Sequence, residues 1–233
     1  MSALYLVRHG QASFGAEDYD NLSARGVEQS RLLGRWLAAS QLGMDLVAMG
    51  AQRRHRQTAE AAAEAGALNG DAVLPPDPAF NEFDHHEVLI RARPDLQSPA
   101  NLAAVVENAE SPRRAYQEIL AAAVERWASG QHDDEYTESW NHFQARCLAG
   151  IEQVVRRTGA SRNVILFTSG GVIAAVTRHV LGLDDAAALR VIWSLVNTGV
   201  TRLLFRPGEI SVSYLNAFPH LEQTGQRGMV TYR

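Results

Sequence analysis

Arg8-His9-Gly10 follows directly on the apolar run Leu4 to Val7, so an imidazole and a permanent cation stand together where a strand should end. Ligands of open α/β sheets gather at the carboxyl ends of strands. A guanidinium placed there grips two phosphate oxygens at once, and a neutral imidazole beside it is suited to take a phosphoryl group covalently. Three further stretches carry groups fitted to the same chemistry. Arg54, followed by Gln57-Thr58-Ala59, stands where a second strand gives way to its helix and brings another cation to that sheet edge. Glu82, within Asn81-Glu82-Phe83-Asp84, offers a carboxyl group that can act as an acid. Thr168-Ser169-Gly170-Gly171 follows a third apolar run and opens a helix whose first amides favour an anion.

The elements that must carry these groups follow from apolar periodicity. Leu4 to Val7, Leu46 to Met49 and Val164 to Phe167 read as buried strands, and the segments between them have helical period. That alternation predicts a mostly parallel sheet covered on both faces, a three-layer αβα sandwich. Ser23 is placed to cap a helix carrying Val27, Leu32, Leu33, Trp36 and Leu37 on one face. A second helix is expected from about Arg54 through Ala65, stopped by Gly66. Pro75, Pro76 and Pro78 break regular structure ahead of a loop or short strand end at Asn81 to Glu87. Ser111-Pro112 opens an inserted helix, expected over the site, with Tyr116, Ile119, Leu120, Val124 and Trp127 as its apolar stripe. Its Tyr and Trp read as core contacts. Another helix is expected from Thr137, with Trp140, Phe143, Cys147, Ile151 and Val154 on one face. Val200 to Phe205 and Ile210 to Tyr214 flank Pro207-Gly208, a pair suited to a type II turn, and predict a closing hairpin. The 233 residues are read as one domain, 1–233, with a helical insertion at about 99–136.

Composition narrows the classes of function. With 46% hydrophobic and 21% charged residues, the chain has the profile of a globular protein. The net charge of −4, with arginines dispersed, gives no reason to expect nucleic acid as a partner. The stretch from Gly170 to Leu183 is interrupted by Arg178 and His179, and nothing approaches a membrane span. The amino terminus enters a strand pattern at once, and Cys147 is the only cysteine, so a cytoplasmic protein without disulfides is expected. No histidine and carboxylate cluster has metal-ligand spacing, so neither metal nor other cofactor is expected.

Taken together, these stretches resemble the histidine phosphatase superfamily, the phosphoglycerate mutase-like group whose members carry a phosphohistidine intermediate. Leu6-Val7-Arg8-His9-Gly10 matches its opening motif, Leu22 to Gly26 with Gln29 its first-helix signature, and Arg54 with Gln57-Thr58-Ala59 its second-arginine motif. Asn197-Thr198-Gly199-Val200-Thr201 and Asn216 through His220-Leu221 are similar to its late strand pattern. The resemblance implies a phosphoglycerate mutase-like fold, with His9 as nucleophile, Arg8 and Arg54 holding phosphoryl oxygens, and Glu82 protonating the departing alcohol. Ser169 and Gly170 are expected to add phosphate contacts, and Gln11, Ser13, His85 and His86 to be auxiliary. The partner implied is a small phosphorylated substrate or inorganic phosphate.

One departure stands out. The family places a second histidine, followed by glycine, where this chain has Ser169. A shorter, neutral donor weakens a transition-state contact, and losing such a donor costs about 3 to 4 kcal/mol. Three readings follow: a slow phosphatase, a site in which His85 or His86 fills the gap, or a non-catalytic phosphate-binding or regulatory protein. His55, His132, His142, His179 and His220 read as structural. Gln11, Ala12 and Ser13 differ from the pattern in glycolytic mutases, so a phosphomonoester hydrolase is expected ahead of a phosphoglycerate-type mutase. The leaving group should be chosen by Phe14 to Tyr19, Phe83 to Leu89 and Pro99 to Trp127.

Overall fold

The computed structural model describes residues 2–13, 20–66, 72–159, 162–206 and 208–232. They fall into two compact units, residues 1–82 with 147–233, and residues 83–146.

The first unit is built on a mixed six-stranded sheet of β1 (Ser2–Arg8), β2 (Leu46–Met49), β3 (Ala72–Val73), β4 (Asn163–Thr168), β5 (Val200–Arg206) and β6 (Glu209–Ala217), in the order β3-β2-β4-β1-β5-β6. The pairings β3-β2, β2-β4 and β4-β1 are parallel, whereas β1-β5 and β5-β6 are antiparallel. Helices cover both faces, which makes this unit the α/β sandwich expected. β1 is buried along nearly its whole length, as a central strand covered on both sides must be. Ala3, Tyr5 and Val7 of β1, with Val47, Met49, Ile165 and Phe167, point to one face. There they meet Leu33 and Leu37 of α1 (Ala24–Ala39) and Ala59 and Ala62 of α2 (Arg53–Glu64). Ser23 caps α1 by accepting from the Gly26 amide, and Gly66, at φ +93°, follows the end of α2.

The β1-β4 register sets the site, because Arg8 lies opposite Thr168 and both strands end there. His9 therefore leaves β1 beside Ser169, which opens α7 (Gly170–Leu181). Glycines allow a close approach at this edge. A Cβ on Gly10 would stand 2.4 Å from the Gly26 carbonyl oxygen, and one on Gly26 would stand 2.1 Å from that of Gln11.

The second unit, 83–146, holds α3 (His85–Ala92), α4 (Pro99–Glu107), α5 (Pro112–Ala128) and the first residues of α6 (Trp140–Thr158). Its core is aromatic, with Trp127 5.2 Å from Trp140 and 4.7 Å from Phe83 between ring centroids. Trp127 is a core residue, as expected of the α5 stripe.

Several boundaries differ from the sequence reading. Asn81 to Glu87 is not loop throughout, because the Asp84 carboxylate accepts from the Glu87 amide and starts α3 at His85. The helix expected from Thr137 begins at Trp140, after a 3-10 turn at Asp133–Glu135. α8 (Asp185–Ser194), capped by Asp184, and the two-residue β3 were not anticipated. Gly208 has φ +78°, the left-handed value a type II turn needs, while Pro207 lies outside the described residues. The Phe14 to Tyr19 segment also lies outside them. Among the described residues, no helix is long and apolar enough to cross a membrane.

Candidate active site

His9 is held from three sides. Its amide donates to the Thr168 carbonyl at 2.8 Å, its carbonyl accepts from the Asn197 side chain at 3.1 Å, and its Nδ1 lies 2.7 Å from the Gly10 carbonyl. A carbonyl can only accept, so Nδ1 carries the proton and Nε2 keeps its lone pair. Burial first, then the charges of Arg54 and Arg8 and the His55 ring, push the His9 pKa well below 6.5, against a small opposing effect of the Gly10 bond. His9 is thus a neutral imidazole among cations.

Arg54 sits on the first turn of α2, 4% exposed. Its Nη1 donates to Asp20 at 2.8 Å and its Nη2 to the Gln52 side chain at 2.8 Å. Asp20 also accepts from the Arg53 amide at 2.7 Å, so one carboxylate fixes both the start of α2 and the guanidinium it presents. The Thr58 hydroxyl donates to the Arg54 carbonyl at 2.7 Å and accepts from the Gly10 amide at 3.0 Å, tying α2 to the turn after His9. Gln57 accepts from the Leu22 amide at 2.8 Å. Arg8 donates through Nη1 to the Leu195 carbonyl, and its guanidinium lies over Gly170, where an added Cβ would be 3.7 Å from Nε.

Glu82 reaches the start of α7, with both carboxylate oxygens 3.1 Å from the Gly171 amide nitrogen. Its backbone amide donates to the same Gln52 oxygen that accepts from Arg54. Gln52 thereby holds the carboxyl group and the second arginine in one frame. The loop before Glu82 is fixed by Asn81, which accepts from the Ala51 amide at 2.7 Å, and by the Phe80 carbonyl, which accepts from Thr168 at 2.7 Å.

Of the auxiliary residues, Gln11 accepts from Ser23 Oγ at 3.1 Å, and its amide donates to Gln29 at 2.9 Å. Ser13 donates through its amide to the Asn21 carbonyl at 2.8 Å. His85 and His86 begin α3 in the second unit, where the His85 ring lies 4.3 Å from that of Phe83 and His86 is exposed. The imidazole against Ser169 is that of His55, with Nε2 2.6 Å from Ser169 Oγ and its ring 5.8 Å from that of His9. Burial first, then the Arg54 charge, hold the His55 pKa well below 6.5, with the Gly50 backbone opposing. The structural reading of His55 missed this position. The signal was present, since His55 is the neighbour of Arg54 on the first turn of the same helix.

Sequence reasoning also passed over Asp20, Gln52 and the roles of Asn197 and Gln29. Gln29 donates to the Met229 carbonyl and to Thr231 Oγ1, both at 2.8 Å. Thr231 donates to the Asn197 side chain at 2.9 Å, and Asn197 donates to His9. Thr198, at φ +60°, gives its hydroxyl proton to the Asn197 carbonyl and accepts from His220 Nε2 at 2.9 Å. Burial lowers the His220 pKa to about 4, so its role here is a neutral donor that shapes the backbone behind His9. Among the described residues, no three His, Cys, Asp or Glu side chains gather as a metal-holding set.

The family model of the histidine phosphatase superfamily (branch 1) matches residues 4–217. A relative, the 2,3-bisphosphoglycerate-dependent phosphoglycerate mutase of Thermobifida fusca (strain YX), is 26% identical over 204 residues, 79% of this chain and 80% of its own. The phosphoglycerate mutase structure from Bacillus anthracis str. Sterne has a TM-score of 0.64 at 16% identity and covers 97% of each chain. A phosphoserine phosphatase mutant from Entamoeba histolytica, in complex with phosphoserine, has a TM-score of 0.64 at 15% identity over 95% of this chain and 100% of that one. The fold is therefore shared with both mutases and phosphatases. By the match across residues 4–217, the chain belongs to the histidine phosphatase superfamily.

Proposed function

We propose that the protein is a phosphomonoester hydrolase working through a phosphohistidine on His9. The observation that carries this reading is the state of that ring: Nδ1 donates to the Gly10 carbonyl, and the neutral Nε2 is left with its lone pair among guanidinium groups. In the first step Nε2 attacks phosphorus, the bond from phosphorus to the alcohol oxygen breaks, and the Glu82 carboxyl proton goes to that oxygen. Arg8 and Arg54 offset the charge on the phosphoryl oxygens. In the second step the Glu82 carboxylate takes a proton from water, the water oxygen bonds to phosphorus, and the electron pair of the nitrogen to phosphorus bond returns to Nε2. Phosphate leaves, and Glu82 is again protonated. Hydrolysis is favoured over mutation by Gln11, Ala12 and Ser13 after the opening motif.

Incubation with p-nitrophenyl phosphate tests the reading. The wild-type protein should release p-nitrophenol and form an acid-labile phosphoenzyme, and His9→Ala should lose at least about 10³-fold in rate while still folding, as expected on removing a nucleophile. Phosphate binding without turnover or phosphoenzyme would reject hydrolysis in favour of a phosphate-binding protein.

A further inference from the structure

Ser169 occupies the position that caps α7, yet its side chain makes no capping bond. The hydroxyl is turned instead to His55 Nε2, at 2.6 Å, and both residues are fully buried. Room for the His55 ring comes from Gly50, where a Cβ would stand 2.3 Å from Nδ1. Gly50 does not have the positive φ that would itself call for glycine, so its small size is what the position uses. Ser169 follows Thr168, the register partner of Arg8, and so stands beside His9 at the strand ends. A buried histidine, a hydroxyl withheld from its helix and a glycine that admits the ring thus meet next to the nucleophile.

The proton inventory gives this pair a direction. Nδ1 of His55 lies against the Gly50 backbone, which exerts the weakest of the influences on the ring and offers Nδ1 no well-aligned hydrogen bond. A proton there would be a buried donor with no well-aligned acceptor, which proteins avoid more strictly than an unused lone pair. The proton therefore belongs on Nε2, which donates to Ser169 Oγ. The hydroxyl proton of Ser169 is then available to an outside acceptor.

We propose that Ser169 and His55 act as one unit in phosphoryl transfer: Ser169 Oγ–H donates to a phosphoryl oxygen, and His55 Nε2–H donates to Ser169 Oγ and orients it. This rests on the hydrolase reading above and deepens it. Ser169 is the catalytic residue of the pair and His55 a positioning residue. Hydrogen bonds in series polarise one another, so as charge grows on the phosphoryl oxygen the second bond strengthens the first. The ring missing from position 169 is supplied from α2, through an oxygen. No bond to phosphorus is made or broken by either residue.

The test compares kcat and KM for p-nitrophenyl phosphate, thermal melting and the His9 phosphoenzyme in wild type, Ser169→Ala, His55→Ala, the double variant, His55→Gln and His55→Asn. Ser169→Ala and His55→Ala should each lower kcat about 10- to 100-fold with little change in KM, on the scale of losing one donor to developing charge. The double variant should be no slower than the slower single variant, because residues acting as a unit are not additive. Gln carries an amide N–H near the position of Nε2, and Asn carries one near Nδ1. His55→Gln should therefore keep most of the rate that His55→Asn loses, at similar melting temperature. A wild-type enzyme that turns over through His9 but is indifferent to His55, or in which Gln and Asn are equally slow, overturns the relay and leaves the hydrolase reading intact. Losses that multiply in the double variant also overturn it. Absence of both turnover and phosphoenzyme in the wild type removes the hydrolase reading, and the relay with it.

Discussion

In the proposed mechanism Glu82 and His9 face opposite demands, since one must deliver a proton and the other must lack one. The His9 demand is met by burial and by neighbouring cations, whereas Glu82 is fixed in place by the Gly171 amide and by Gln52. Because its proton is needed by the leaving oxygen, Glu82→Gln should slow hydrolysis of an alkyl phosphate such as glycerol phosphate by about 10²- to 10⁴-fold, the usual span of general acid catalysis. In the first turnover, before water must be activated, release of p-nitrophenol, which departs as a stable anion, should suffer much less than release of glycerol. Equal losses in that first turnover would assign Glu82 a different task. At this scale the sequence was informative where residue types are unusual in their setting: an Arg-His pair at a strand end, and a serine where a histidine is expected. It was silent where a residue looks ordinary. His55 lies inside a helix and reads as core until the fold turns that helix against the end of β4.

The Thr58 hydroxyl joins α2 to the turn after His9, accepting from the Gly10 amide and donating to the Arg54 carbonyl. Thr58→Val keeps the shape and leaves the buried Gly10 N–H without its acceptor, a loss of about 1 to 3 kcal/mol. The urea midpoint should fall accordingly, and turnover with it, since the Gly10 carbonyl also holds His9 Nδ1. An unchanged midpoint would show that this hydroxyl does not bind the two elements together. Elements bounded by strong local signals were legible, as with Ser23 ahead of α1 and Gly66 after α2. Those that depend on tertiary pairing were not. β3 is two residues long and exists through its parallel pairing with β2, which no periodicity can express. α3 was overlooked because a proline-rich approach concealed the cap at Asp84.

Across the whole molecule, three buried histidines make stability depend on pH. His9 and His55 titrate well below 6.5 in the folded state, and His220 at about 4. In the unfolded chain each takes up a proton near 6.5, so below that value the unfolded state holds more protons and the fold loses ground. The loss is about 1.4 kcal/mol per pH unit for each such histidine, and it proceeds from pH 6.5 down toward the folded values. Urea midpoints should therefore drop between pH 7 and pH 5, and a flat or rising midpoint would contradict the burial of these rings. The order of the motifs revealed the architecture because the stretches carrying His9, Arg54 and Ser169 follow β1, β2 and β4 of the same sheet. The links between distant segments were beyond reach of local pattern, and one of them concerns time as much as space. Gln29 and Thr231 are 202 residues apart, and Thr231 leads through Asn197 to the carbonyl of His9. At ribosomal speeds of about 5 to 20 residues per second, roughly 10 to 40 seconds of synthesis separate those two partners. A nascent chain thus carries the His9 imidazole long before the strap that steadies it has been made.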